Sequence, residues 1–144
     1  MMVFGGRSEA RDLNDLWVYD PSAGGWDSLE IAGPAPAPRA CATIVYDPSR
    51  QVMIVYGGEV SAVAGPPQVY SDVWEISAID PSTWVRRADG PPRTRHTAVY
   101  DAVRHRMVVF GGQDTTGEYS SDVWMFSLGD GSWGSFTTVQ QHWP

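Results

Sequence analysis

Three stretches of this 144-residue chain repeat one another in order and in phase: MMVFGG at 1–6, VMIVYGG at 52–58 and RMVVFGG at 106–112. The second glycines, Gly6, Gly58 and Gly112, are 52 and 54 residues apart. A second series follows each: NDLWVYD at 14–20, SDVWEIS at 71–77 and SDVWMFS at 121–127. A third is marked by Trp26, Trp84 and Trp133, and a fourth occurs twice, PRACATIVYD at 38–47 and PRTRHTAVYD at 92–101. Self-similarity at a period near 50 means that each unit is one supersecondary block that must stack on its neighbours to bury its apolar faces.

Each block reads as four short strands. Their β-branched and aromatic residues suit a pleated, half-buried surface. Turn chemistry separates them: Asp47-Pro48-Ser49 and Asp101-Ala102-Val103 after the first strand, and 21–25, Asp80-Pro81-Ser82 and Gly129-Asp130-Gly131 after the third. A helical alternative exists only for 95–110, which lacks Gly and Pro. Its Thr, Val, Tyr and Phe content and its match to 41–56 predict a hairpin instead.

This pattern resembles the kelch repeat over residues 1–137. The resemblance is carried by Gly5-Gly6, Gly57-Gly58 and Gly111-Gly112 closing the second strand, and by the pairs Trp17/Trp26, Trp74/Trp84 and Trp124/Trp133. It implies an all-β fold: a kelch-type β-propeller fragment of three consecutive antiparallel blades, the first lacking its innermost strand. The expected spans are 1–30, 39–88 and 93–137, with 138–144 a linker or truncated tail. The double glycine should permit a sharp turn and close approach of a neighbouring side chain. The tryptophans should fill the wedge between blades. Because closed propellers have roughly four to eight blades, the expectation is an open arc with an apolar face at each end, whose open blade edges allow self-association.

Composition removes several function classes. The formal net charge is −7 and the ten basic residues are scattered, so nucleic acid is not an expected partner. No stretch approaches the roughly 18 apolar residues of a membrane-spanning helix. The single cysteine, Cys41, cannot form an intrachain disulfide or a Cys-based zinc site. The idiom of the repeats is similar to that of bacterial kelch proteins, which slightly favours an exported or cell-surface setting.

The kelch resemblance places the loops between second and third strands, 7–14, 59–71 and 113–121, on one face with the segments leading into each blade. These loops differ in length and composition while the strands do not, which is where specificity tends to reside. The binding candidates on that face are Arg39, Tyr70, Arg93, Arg95, His96 and Tyr119. An arginine at a first-strand entrance could pair with a ligand carboxylate. Its recurrence as Arg39 and Arg93 favours instead a scaffold role, tying neighbouring blades through loop carbonyls. His96 is expected to make a structural hydrogen bond. His105 falls in a hairpin turn and His142 in the tail, so the histidines make no metal-ligand spacing. Asp15, Asp72 and Asp122, one per block, are expected to cap free N–H groups at a loop end.

Two enzymatic relatives of the fold fail on the residues. Galactose oxidase-like kelch enzymes need a Cys–Tyr crosslink and Tyr/His copper ligands, and nothing here matches. The iron motif of kelch specifier proteins finds Glu118 and Asp122 in place but Phe126 where its histidine should be. No catalytic residue, metal or cofactor is therefore assigned. The expected function is non-catalytic recognition of a protein or a glycan. The alternatives are a kelch-propeller enzyme whose catalytic groups lie outside this chain, and a structural repeat without a discrete ligand.

Overall fold

The computed structural model describes residues 1–136, which form strands and turns without a helix. The tail segment 138–144, with His142, lies outside the described residues. Three antiparallel sheets follow one another along the chain. The first contains β1 (Met2–Arg7), β2 (Asp12–Asp20) and β3 (Gly25–Leu29). The second contains β4 (Thr43–Asp47), β5 (Val52–Tyr56), β8 (Asp72–Ser77) and β9 (Trp84–Asp89). The third contains β10 (Thr97–Asp101), β11 (Arg106–Phe110), β12 (Val123–Ser127) and β13 (Trp133–Phe136). Each is a meander in sequence order, and the first has no strand on the inner side of β1.

The register is the same in every sheet. Val3, Val55 and Val109 stand opposite Trp17, Trp74 and Trp124. Residues 97–110 form the expected hairpin, with Ala98 opposite Val109. The turn aspartates act through their side chains: Asp47, Asp20 and Asp130 each accept the N–H and hydroxyl of the serine two residues on. The loop 59–71 is more ordered than its composition suggests. Its ends pair as a two-stranded ribbon, β6 (Glu59–Val60) and β7 (Gln68–Val69). The Gln113–Tyr119 bridge is the shorter counterpart in the next blade.

The core is two blade joints. At the first, Phe4 and Leu16 meet Met53, Val55, Trp74, Ile76 and Trp84, with Phe4 edge-on to Trp84 at 5.0 Å. At the second, Val45, Ile54, Tyr56 and Val73 meet Met107, Val109, Phe126 and Leu128. Period-2 alternation sends the two sides of the middle blade to different neighbours, so the interior of β5 and β8 is buried throughout.

The double glycines are where one blade receives the next. Gly6 N–H donates to Arg39 O and Gly58 N–H donates to Arg93 O, both at 2.8 Å. In return Arg39 N–H donates to Leu13 O at 2.9 Å, and Arg93 N–H to Tyr70 O at 3.1 Å. Mainly backbone, rather than a side chain, makes the close approach. A Cβ on Gly58, whose φ is +95°, would stand 2.7 Å from Ala40 O and 2.9 Å from Ala42 Cβ. Gly58→Ala is therefore expected to cost at least about 2 kcal/mol through backbone strain and displacement of the segment leading into its own blade. Gly25→Ala, which meets nothing within 4 Å, should stay within about 0.5 kcal/mol. Urea titration of the two variants reads both values; similar costs would contradict the socket.

Candidate binding face

The segment leading into each blade carries an arginine whose backbone crosses to the blade before it and whose side chain reaches into its own blade. Arg39 is 1% exposed. Its Nη1 and Nη2 donate to Asp72 Oδ1 and Oδ2 at 2.6 and 2.9 Å. Nη1 also donates to Gly57 O and Nε to Ala37 O, both at 3.0 Å. The guanidinium lies 4.2 Å from the centre of the Tyr70 ring. Arg93 repeats the arrangement with Asp122, Nη2 to Oδ2 at 2.6 Å.

Asp72 and Asp122 do not cap loop N–H groups. Each accepts the indole N–H of the tryptophan two residues on, Trp74 at 2.6 Å and Trp124 at 2.7 Å, as Asp15 does from Trp17 at 2.7 Å. On a strand, residues i and i+2 share a face, which brings carboxylate and indole together. Burial pushes the Asp72 carboxyl up, but the hydrogen bonds from Arg39 and Trp74 outweigh it and hold the group below the usual carboxylate value. The same opposition holds Asp122 down. A half-buried carboxylate receiving both a guanidinium and an indole is a fixed structural anion.

Three of the six candidates are buried in the scaffold and a fourth is partly covered. Arg39 and Arg93 are buried and committed to their blades, and Tyr70 is half-covered beneath Arg39. His96 is wedged between the second and third blades, its Nε2 2.7 Å from Thr43 Oγ1 and its ring 5.0 Å from that of Tyr56. The hydroxyl–imidazole pair joins the two blades, with the imidazole buried inside the joint.

Arg95 and Tyr119 are different. Arg95 is half-exposed, and Tyr119 is 79% exposed. Arg95 belongs to a cluster that repeat-by-repeat reading missed. Glu59 is buried, and its carboxylate receives Arg7 Nη2 at 3.3 Å, Arg95 Nη2 at 3.1 Å and Thr94 Oγ1 at 3.1 Å. Asp12 beside it takes Arg7 Nε at 2.7 Å and Ser61 N–H at 2.6 Å. Arg7, Glu59 and Arg95 come from successive blades, so one buried carboxylate joins all three. The signal was the residue after each double glycine, Arg7, Glu59 and Gln113: the position is constant and its charge is not.

The loops flank two clefts. One of about 170 Å³ lies between the second and third blades, lined by Glu59, Pro66, Pro67, Val69, Arg95 and Gln113 among others. The other, of about 450 Å³, lies between the first and second blades, against Arg11, Pro38, Val60 and Val63. The apolar loop 59–71 stands between them as a ridge.

The buried histidine makes the joint sensitive to pH. Burial, reinforced by the nearby Arg93 charge, pushes the His96 pKa down to about 4 from an ordinary 6.5. Between these values the unfolded chain binds a proton that the folded chain refuses. Stability is therefore full above pH 6.5 and falls as the pH drops toward 4. The expected loss at pH 5 is about 2 kcal/mol, and His96→Gln should remove most of it. Urea midpoints between pH 7.5 and 5 check this; parallel declines in both proteins would contradict it.

Comparison with known proteins agrees with the geometry. The Kelch motif matches residues 92–134. The chain is 29% identical to the flagellar outer-arm dynein alpha chain of Chlamydomonas reinhardtii, over 92% of this chain and 3% of that protein. It is 32% identical to the Rab9 effector protein with kelch motifs of Bos taurus, over 76% of this chain and 29% of that protein. It is 23% identical to acyl-CoA-binding domain-containing protein 4 of Arabidopsis thaliana, over 96% and 22%. The chain thus spans less than a third of the length of these relatives. With its motif match, its in-phase glycines and tryptophans and its identically registered sheets, the chain is a kelch-repeat protein of the β-propeller type, described here as three consecutive antiparallel blades.

Proposed function

We propose that the chain is a non-catalytic recognition module that binds a partner protein across the loops of its second and third blades. The observation that carries this reading is the contrast among the candidates. The repeated arginines are consumed by the scaffold, whereas Arg95 and Tyr119 stay exposed around one cleft. Arg95 lines that cleft, and Tyr119 pairs with Gln113, another lining residue. Arginine and tyrosine are over-represented among residues that dominate protein interfaces. Pro66, Pro67 and Val69 supply rigid apolar wall beside them, and Val63 on the ridge is fully exposed.

The relatives support a scaffold role rather than an inherited activity. A dynein chain, a Rab9 effector and an acyl-CoA-binding protein share this type of sequence, so what they have in common is the repeat and not a reaction. The one named as a Rab9 effector is a precedent for such repeats in a protein that acts through another protein.

The test is selection of displayed proteins and peptides on the immobilised chain, followed by affinity measurement against variants. Arg95→Ala with Tyr119→Ala should weaken the selected binders at least about tenfold, in line with loss of interface anchors. Arg104→Ala, on the opposite hairpin face, should leave them unchanged. Binders insensitive to the double variant, or selection of glycans alone from an array, would overturn the reading.

A further inference from the structure

Arg11 stands apart from the other basic side chains. All ten basic residues are arginines, and nine of them pair with an aspartate or glutamate. Arg11 pairs with none among the described residues. Acids are not scarce in a chain of net charge −7. Its neighbour Asp12 is already engaged, Oδ1 by Arg7 Nε at 2.7 Å and Oδ2 by Ser61 N–H at 2.6 Å. The backbone of Arg11 is nonetheless fixed by a turn. Ser8 N–H and Oγ both donate to Arg11 O at 2.9 Å, and Arg11 N–H donates to Ser8 Oγ at 3.1 Å. A guanidinium on a fixed backbone, without a counter-charge, is prepared for an outside anion.

The surroundings are apolar. Arg11 borders the cleft of about 450 Å³, whose walls include Ala10, Pro38, Val60, Ala62 and Val63. These walls come from the facing sides of the first and second blades, which are joined here by Arg39 N–H on Leu13 O and by Ser61 N–H on Asp12. Pro38 and Val63 are exposed. An ion pair in open water contributes little, but apolar groups that close over it exclude water and strengthen it. The cleft therefore discriminates in favour of a carboxylate carried beside an apolar group. With one cation in the cleft, a single negative charge is the match; a phosphate dianion would stay half uncompensated.

We infer that the cleft between the first and second blades receives a segment of a partner protein in which an aspartate or glutamate adjoins an apolar side chain. The carboxylate meets Arg11, and the apolar group rests on Val60 and Val63. This inference rests on the reading of the loops as a protein-recognition face, and it places a second anchor across the ridge from Arg95.

Selection of displayed random peptides tests it, run in parallel on the wild-type chain, on Arg11→Gln and on the Arg95→Ala, Tyr119→Ala double variant. Arg11 is exposed, so Arg11→Gln should melt with the wild type. The wild type and the double variant should both enrich peptides that join Asp or Glu to Leu, Val, Ile or Phe, and Arg11→Gln should not. Changing the acid of such a peptide to its amide should weaken binding to the wild type at least about tenfold. Acid and amide forms should bind Arg11→Gln equally weakly. Equal enrichment of these peptides on wild type and Arg11→Gln, or no preference for acids next to apolar residues, would overturn the inference. If the selected peptides instead lose affinity only in the double variant, the inference fails while the reading of the loop face stands.

Discussion

The interaction on which the array depends is the exchange of backbone hydrogen bonds at each blade-leading arginine. Arg39 and Arg93 each accept from a glycine of the preceding blade and donate to its third-strand lead, while their side chains run into their own blade. One residue thereby holds two sheets in register. The approach is possible because Gly5 and Gly57 have left-handed φ and no Cβ: a Cβ on Gly5 would stand 2.8 Å from Arg39 O, and one on Gly57 would collide with Arg93 O. Sheet-on-sheet packing alone would be tolerant of sliding; the polar clip is directional and fixes where Phe4 meets Trp84 and where Tyr56 meets Trp133.

Such a clip places charge where charge is expensive. A buried guanidinium is tolerated when its N–H groups are paired, and Arg39 meets a carboxylate and two carbonyls. The aspartate in turn uses its remaining capacity on an indole N–H, which aligns the tryptophan that fills the joint. Binding to an outside ligand is then left to residues freed from this work. Glu59 sharpens the division: it pairs with Arg7 and Arg95 together and orients the half-exposed Arg95 at the rim of the smaller cleft. Recognition chemistry is thus displayed on a rigid frame, the arrangement in which variable loops are most useful.

Much of this was legible in the sequence, for a physical reason. The glycines and tryptophans recur because each blade solves the same packing problem, so alignment of the chain with itself gave strand order, hairpins and joints. What depended on contacts between copies was not legible. Asp72 looked like a loop cap because its partners, Arg39 and Trp74, are specified by three-dimensional register. Glu59 was passed over because it breaks the pattern, standing where the other copies have Arg7 and Gln113. Arg95 and Arg93, two residues apart, would share a face on a regular strand, yet the left-handed backbone at Arg95, φ 56°, breaks that pattern, and one is buried while the other is exposed. The β6–β7 ribbon was hidden by a Pro- and Ala-rich loop whose pairing residues are only its ends.

Native-state hydrogen exchange at the Gly6 and Gly58 amides is the most direct test of the blade clip. If the clip holds the array together, these two amides should exchange as slowly as the central-strand amides of β5 and β8, because freeing them requires separating blades. Rates like those of the exposed loop 62–66, with β5 still protected, would show that the blades stay together without the clip and would contradict the account.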